Sequence, residues 1–356
     1  MKVCKFQLHI EPRQPIILPP YKGATLRGGF GNAFKKVVCA LKTKDCSDCI
    51  LKEQCVYSYV FETPPPRDAT VMRKYLAVPR PFIIEPPPEK RMGYKPGDEL
   101  TFGLTLVGKA IDYLPYFIYT FDELGNMGIG KGRGKYTLKS VHQKKNSSPT
   151  NCQTVSTEED EIRIYTSETK KLNAFHPEDL IITSSPLMGE GKGEGDPRTT
   201  SKPSNDEDGP ATAATLNFLT PTRIYYNSDL THNLEFHILI RQLLRRISML
   251  SYFHCGVDTS QWDFNGFINK AKEVTIKNTN LQWHDWQRYS ARQEQKINMG
   301  GFVGNITYEG NLAPFLALLK AGEILHVGKG ATFGLGRYEM HNISPVIPAH
   351  AGIQES

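Results

Sequence analysis

Four cysteines, Cys39, Cys46, Cys49 and Cys55, fall within seventeen residues in the spacing C-x6-C-x2-C-x5-C. Thiols crowded in this way, in a chain expected to be cytoplasmic, point to metal ligation rather than disulfides. Zinc takes four thiolates in a closed tetrahedron, commonly as two short pairs, and only Cys46 and Cys49 form such a pair. A 4Fe-4S cluster also takes four cysteine thiolates. Packed free thiols are the plain alternative, and either metal would be structural. Cys4, Cys152 and Cys255 stand apart.

Two glycine-rich stretches carry cations instead of thiols: GNMGIGKGRGKYTL, from Gly125 to Leu138, and GKGATFGLGRY, from Gly328 to Tyr338. Successive glycines can turn backbone N–H groups toward phosphate oxygens with no side chain in the way. Lys131, Arg133 and Lys135 in the first stretch, and Lys329 and Arg337 in the second, would add charge-assisted bonds. Neither has the spacing of a nucleotide-binding loop, so irregular connections between helix and strand fit the composition equally well. In DWQRYSARQ, Arg288 and Arg292 are four apart, on one face if helical, with Trp286 and Tyr289 available for stacking on bases. They could equally pair with Asp285 and Glu294 on a solvated surface.

Two similar sets of elements position these residues. The first is an alternating strand KFQLHI, a helix carrying Leu26, Phe30, Phe34 and Leu41, strands RPFIIEP and ELTFGLTLVG, a helix from Leu114 to Leu124, and the strand KYTLKSV. The order β-α-β-β-α-β predicts a ferredoxin-like unit. It returns after residue 214: strands at TLNFL and RIYY, a helix from Leu234 to Phe253, strands KEVTIKN and GGFVGNITYEG, the helix NLAPFLALLKAG, and GLGRYEMHNI. The fold class is therefore α+β, two tandem ferredoxin-like (RRM-like) units with a cysteine-rich metal-binding insertion at 39–55. The expected divisions are a first unit at 1–142, an acidic and partly disordered linker at 143–213, a second unit at 214–344 and a tail at 345–356.

The net charge is +6, but residues 155–210 hold 13 acids against 6 bases, and the remainder carries +13. That excess favours a polyanionic partner. With no run of about 18 apolar residues and no signal-peptide core, the expectation is a soluble, cytoplasmic protein without membrane partners.

LRGGFGNAFKKVVC, PRPFIIEPP, LPYFIYTFDELGNMGIGKGRGKY, FHILIRQLLRRISMLSYFHCG, DWQRYSARQ and GGFVGNITYEGNLAPFLALLKAGEILHVGKGATFGLGRY, in this order, resemble the RAMP superfamily of CRISPR-associated proteins. Within it, they resemble the precursor-RNA processing endoribonuclease, the sixth Cas family, over most of residues 15–343. The resemblance implies metal-independent cleavage of CRISPR repeat RNA. The RNA's own 2′-hydroxyl attacks the adjacent phosphate and leaves a 2′,3′-cyclic phosphate and a 5′-hydroxyl. The protein must supply a base, an acid and positive charge.

Family members usually carry a histidine base on or beside the first helix. Here no histidine lies between His9 and His142, and that stretch offers Tyr21, Lys22, Arg27, Lys35 and Lys36. Tyr21 and Lys22 could act instead. The alternative base is His254, two residues after Tyr252 at the end of a helix bearing Arg241, Arg245 and Arg246. A helix C-terminus would raise the pKa of such an imidazole. The remaining alternative is a RAMP subunit of a CRISPR effector complex that binds RNA without cutting. The expected RNA contacts are Arg27, Lys131, Arg133, Arg245, Arg246, Arg288, Arg292, Lys329 and Arg337. The cysteine spacing separately resembles the 4Fe-4S loop of helix-hairpin-helix glycosylases, which favours a cluster over one structural zinc ion and would present Lys42, Lys44 and Lys52 near RNA.

Overall fold

A computed structural model describes residues 1–42, 46, 48–64, 78–144, 161–180, 213–231, 233–290 and 295–344. The described chain divides into two compact units. The first holds residues 1–180 together with Arg246–Thr259 and Gly330–Leu335, and the second holds most of the remainder.

In the first unit, β1 (Lys2–Pro12) alternates buried Phe6, Leu8 and Ile10 with part-exposed Gln7 and His9, so one sheet face meets the core. A short β2 (Ile16–Ile17) leads to α1 (Gly23–Val38), whose buried Leu26, Phe30, Ala33 and Phe34 recur at helical spacing. Lys35 and Lys36 in its last turn complement the helix dipole. Then come β3 (Phe82–Glu85), β4 (Gly93–Tyr94), which pairs with β2, and β5 (Leu100–Val107). They are followed by α2 (Leu114–Met127), β6 (Tyr136–Lys144), β7 (Glu161–Thr166) and β8 (Glu178–Asp179). The sheet runs β3-β5-β1-β6-β7, with β8 also on β1. The antiparallel order β3-β5-β1-β6 is that of a ferredoxin-like unit. Phe30 centres the core, with ring centroids 4.7 to 5.9 Å from those of Phe34, Phe61, Phe82, Phe117 and Phe121. Each fully buried phenyl group contributes about 1.5–3 kcal/mol.

The second unit begins with β9 (Ala213–Thr222) and a small hairpin of β10 (Tyr225–Tyr226) and β11 (Asp229–Leu230). α3 (Phe236–Cys255), whose residues from Arg246 onward belong to the first unit, α4 (Phe264–Ala271) and β12 (Thr275–His284) follow, then β13 (Gln287–Ser290) and β14 (Gln295–Asn298), which pair with each other. β15 (Gly301–Glu309), α5 (Leu316–Leu325) and β16 (Tyr338–Ser344) complete it. The sheet order β12-β15-β9-β16 repeats that of the first unit. Phe236, Tyr308, Phe315 and Phe267 meet edge-on beneath it.

The two-unit fold agrees with the sequence reading, and several details differ. α1 ends at Val38, so Leu41 lies beyond the helix and is exposed. DWQRYSARQ is not helical: Arg288 lies in β13, so the shared helical face with Arg292 does not form, and Arg292 lies outside the described residues. α4 has no counterpart in the expected elements; Asp263 caps it by accepting from Gly266 N–H at 2.9 Å. Within the stretch read as linker, β7 pairs with β6. Its short EIRIYT alternation is obscured in sequence by the surrounding acids. Residues 145–160 and 181–212 lie outside the described residues, as does the tail from residue 345.

Candidate nucleic-acid interface

The glycines of the second stretch approach the protein's own backbone. Every residue from Ala331 to Gly336 is buried. Gly334 N–H donates to Ala331 O at 2.8 Å, Gly336 N–H to Pro221 O at 3.2 Å, and Lys329 N–H to Arg223 O at 2.9 Å. At Gly336, φ is +74° and a Cβ would stand 1.8 Å from Val327 O. In the first unit, Phe333 O accepts from Tyr21 Oη at 2.7 Å, and a Cβ on Gly23 would stand 2.0 Å from the same oxygen. The expectation that this stretch turns free N–H groups to phosphate is corrected: close packing of turn against backbone uses the groups named. Lys329 remains exposed, with Nζ 4.0 Å from the centre of the Tyr225 ring, and Arg337 pairs with Glu339 at 3.2 Å.

The first stretch is a tight hairpin with an exposed cationic tip. Ile129 N–H donates to Gly134 O, Arg133 N–H to Gly130 O, and Lys131 N–H to Ile17 O, at 3.0, 3.2 and 2.9 Å. Lys131, Gly132, Arg133 and Lys135 are exposed. Gly132 has φ +81°, and no heavy atom lies within 4 Å of the place a Cβ would take, so this turn faces open space. Arg13, also exposed, hydrogen-bonds Asn126 Oδ1 at 2.8 Å, while its backbone N–H donates to Lys135 O at 2.8 Å. Sequence reading missed Arg13, because it reaches the hairpin only through pairing of segments far apart in the chain.

A second basic surface lies along the C-terminal half of α1. Lys35, Lys36 and Lys42, with Asn32, Cys39 and Tyr57, line an open cleft of about 540 Å³. Lys35 Nζ sits 5.4 Å from the centre of the Tyr57 ring, which stacks on Phe61 at 5.2 Å. The cleft therefore offers an aromatic wall beside flexible cations. Cys39, Cys46, Cys49 and Cys55 are free thiols of intermediate exposure. Lys44 lies outside the described residues.

The residues expected to do proton transfer are otherwise engaged. His254 is buried, accepts at Nδ1 from Tyr59 Oη at 2.9 Å, and donates from Nε2 to Pro79 O at 2.8 Å. Burial pushes its pKa down to about 4, against a smaller upward effect of the Pro79 bond. This reverses the raised pKa expected from the helix end: desolvation outweighs the dipole when the ring leaves water. Lys22 is fully buried, donates to Glu89 O at 2.6 Å, and is also pushed down by burial. The Tyr21 hydroxyl is pushed up by burial. Tyr252 is half-buried against Phe253, and Arg27 lies between the rings of Phe61 and Phe333 at 4.8 and 5.0 Å. Arg245 is exposed and Arg246 half-buried. His254, Lys22 and Arg27 thus serve packing in this structure, and the exposed cations are elsewhere.

His254 makes stability depend on pH. Its folded pKa lies below the unfolded value, so acid favours the unfolded chain, which takes up the proton. Between pH 7 and 4 folding stability is expected to fall by about 3 kcal/mol from this residue. Urea titrations should show a much smaller acid sensitivity for His254→Gln; an equal fall in both proteins would refute the assignment.

Each unit has the ferredoxin-like strand order, and the first carries an exposed cationic surface. Residues 216–338 match the family described as CRISPR-associated endoribonuclease Cas6, and residues 1–171 match the N-terminal domain family AF_1859_N. A Cas6 product complex has a TM-score of 0.52 at 15% identity, covering 96% of this chain and 100% of that one. A partial Cas6-RT-Cas1–Cas2 complex gives 0.52 at 12%, covering 99% and 47%. An uncharacterized protein of Archaeoglobus fulgidus is 33% identical over 124 residues, which are 35% of this chain; the match spans 40% of that relative's length. Among the described residues no helix is long and apolar enough to cross a membrane.

Proposed function

We propose that this protein is a CRISPR repeat RNA endoribonuclease that cuts precursor RNA through the RNA's own 2′-hydroxyl, leaving a 2′,3′-cyclic phosphate and a 5′-hydroxyl. The family match of residues 216–338 carries this reading. The exposed Lys131, Arg133 and Lys135 and the cleft along α1 supply charge to hold the RNA. Such a surface neutralises phosphates and positions the scissile bond, while the attacking nucleophile belongs to the substrate. DNA lacks that nucleophile and would only inhibit.

Cys39, Cys46, Cys49 and Cys55 would hold a 4Fe-4S cluster, or alternatively one zinc ion. Four free thiols, from Cys39 at the end of α1 to Cys55 just past the turn at Lys52–Gln54, are the donor set either group needs. The bound group would tie this segment beside the α1 cleft and supply no step of the cleavage.

A second reading, an RNA-binding subunit of a CRISPR effector complex, is favoured by one observation: Tyr21, Lys22 and His254 are each held by protein hydrogen bonds. Incubation of the protein with repeat RNA in EDTA separates the two. Cleavage to a cyclic phosphate, abolished by a single 2′-deoxy at the cut site, is the expected result. Tight binding with intact RNA would establish the second reading.

A further inference from the structure

We propose that His9, His142 and Glu161 bind one divalent transition-metal ion of the zinc type through two imidazole nitrogens and one carboxylate oxygen, on the sheet face of the first unit opposite its helices. One ligand-competent atom of each residue lies within 4.8 Å of the others. The three side chains retain 20%, 17% and 26% exposure.

The hydrogen bonds select which atoms face the ion. His9 Nδ1 is held by Glu99 Oε1 at 2.5 Å and Thr101 Oγ1 at 3.2 Å. Its Nε2 is buried and has no hydrogen-bond partner among the described residues. A carboxylate on the far nitrogen is what orients a metal-bound imidazole and keeps the proton off the ligating atom. His142 repeats the arrangement with the other tautomer: Nε2 is 3.0 Å from Ser140 Oγ, which leaves Nδ1 for the ion. Glu161 gives Oε1 to Lys144 at 3.2 Å and presents Oε2 to His142 Nδ1 at 3.4 Å. That separation exceeds the ordinary N–H···O distance of about 2.9 Å. It equals the roughly 3.4 Å between two ligands that each lie about 2.1 Å from one tetrahedral ion.

Regular pairing brings these groups together. β1 and β6 keep one register from Lys5↔Lys144 to His9↔Ser140, and β6 and β7 keep one from His142↔Arg163 to Lys144↔Glu161. Residues diagonal to one another on adjacent antiparallel strands share a face and lie within side-chain reach. The two imidazole centroids are 4.8 Å apart on the face opposite Phe6, Leu8 and Ile10, which point into the core. Two imidazoles and one carboxylate, with a water in the fourth position, suit zinc and its neighbours better than calcium or magnesium. The ion would cross-link β1, β6 and β7.

Titration of the full chain with Co²⁺, followed by visible absorption, tests this. One ion is expected with nitrogen and oxygen ligand-field bands and no thiolate charge-transfer band, which distinguishes it from any cobalt on the cysteines. His9→Ala and His142→Ala should each abolish that signal. Glu99→Gln should weaken binding about 10- to 100-fold. Glu161→Gln, a near-isosteric change, guards against misfolding of the alanine variants and should also lose the signal. Wild-type protein without the nitrogen and oxygen signal, or variants that all retain it, would overturn the proposal.

Discussion

Replacing Lys131, Arg133 and Lys135 together with alanine is expected to weaken repeat-RNA binding about 100-fold at 0.1 M salt, from three lost contacts at a single-strand slope of roughly 0.7 each. The plot of log affinity against log salt should flatten by about 2. These residues are exposed on a tight two-stranded turn, so their loss removes charge without opening a core. Lys329→Ala and Arg337→Ala should have a much smaller effect, because Lys329 rests on Tyr225 and Arg337 on Glu339. Filter binding at several salt concentrations decides between the two stretches. An unchanged slope in the triple variant, or an equal loss from Lys329 and Arg337, would return the interface to the second stretch.

Stability should respond as sharply to Gly336→Ala. The added methyl group meets Val327 O at 1.8 Å while φ must stay at +74°. Steric conflict and left-handed strain together are expected to cost about 3–5 kcal/mol. Relief by movement would break the Val327 N–H to Gly336 O bond of 2.9 Å and the Gly336 N–H to Pro221 O bond of 3.2 Å. Gly132→Ala is the matched control, because φ is also positive there, +81°, but the site is open. Only the left-handed strain of about 1–2 kcal/mol applies to it. Urea unfolding of both variants measures the difference. Equal losses would show that backbone conformation, rather than close approach, requires glycine at 336.

Features with local causes could be read directly from the chain. The strand alternation in KFQLHI and the helical recurrence of Leu26, Phe30 and Phe34 are of this kind, and each appears in the fold as read. The burial of His254 is not local: the ring and carbonyl that enclose it come from Tyr59 and Pro79, nearly two hundred residues earlier. A helix-end argument covers only the dipole, and desolvation reverses its sign. The different surroundings of the two glycine stretches have the same origin. Glycine and lysine content shows that a backbone comes close to something; the partners of Gly336 prove to be Val327 and Pro221, whereas Gly132 faces open space.

The two β-α-β-β-α-β units, the excess of positive charge outside the acidic stretch and the four closely spaced thiols are all written in the order of the residues, since periodicity, composition and spacing are properties of neighbours along the chain. The packed fold settles other matters: which cations stay in water, which candidate acids and bases are enclosed, and that His9, His142 and Glu161 share one corner of a sheet. Burial and convergence are set by strand register and by contacts between distant segments, and those are established only when the whole core packs.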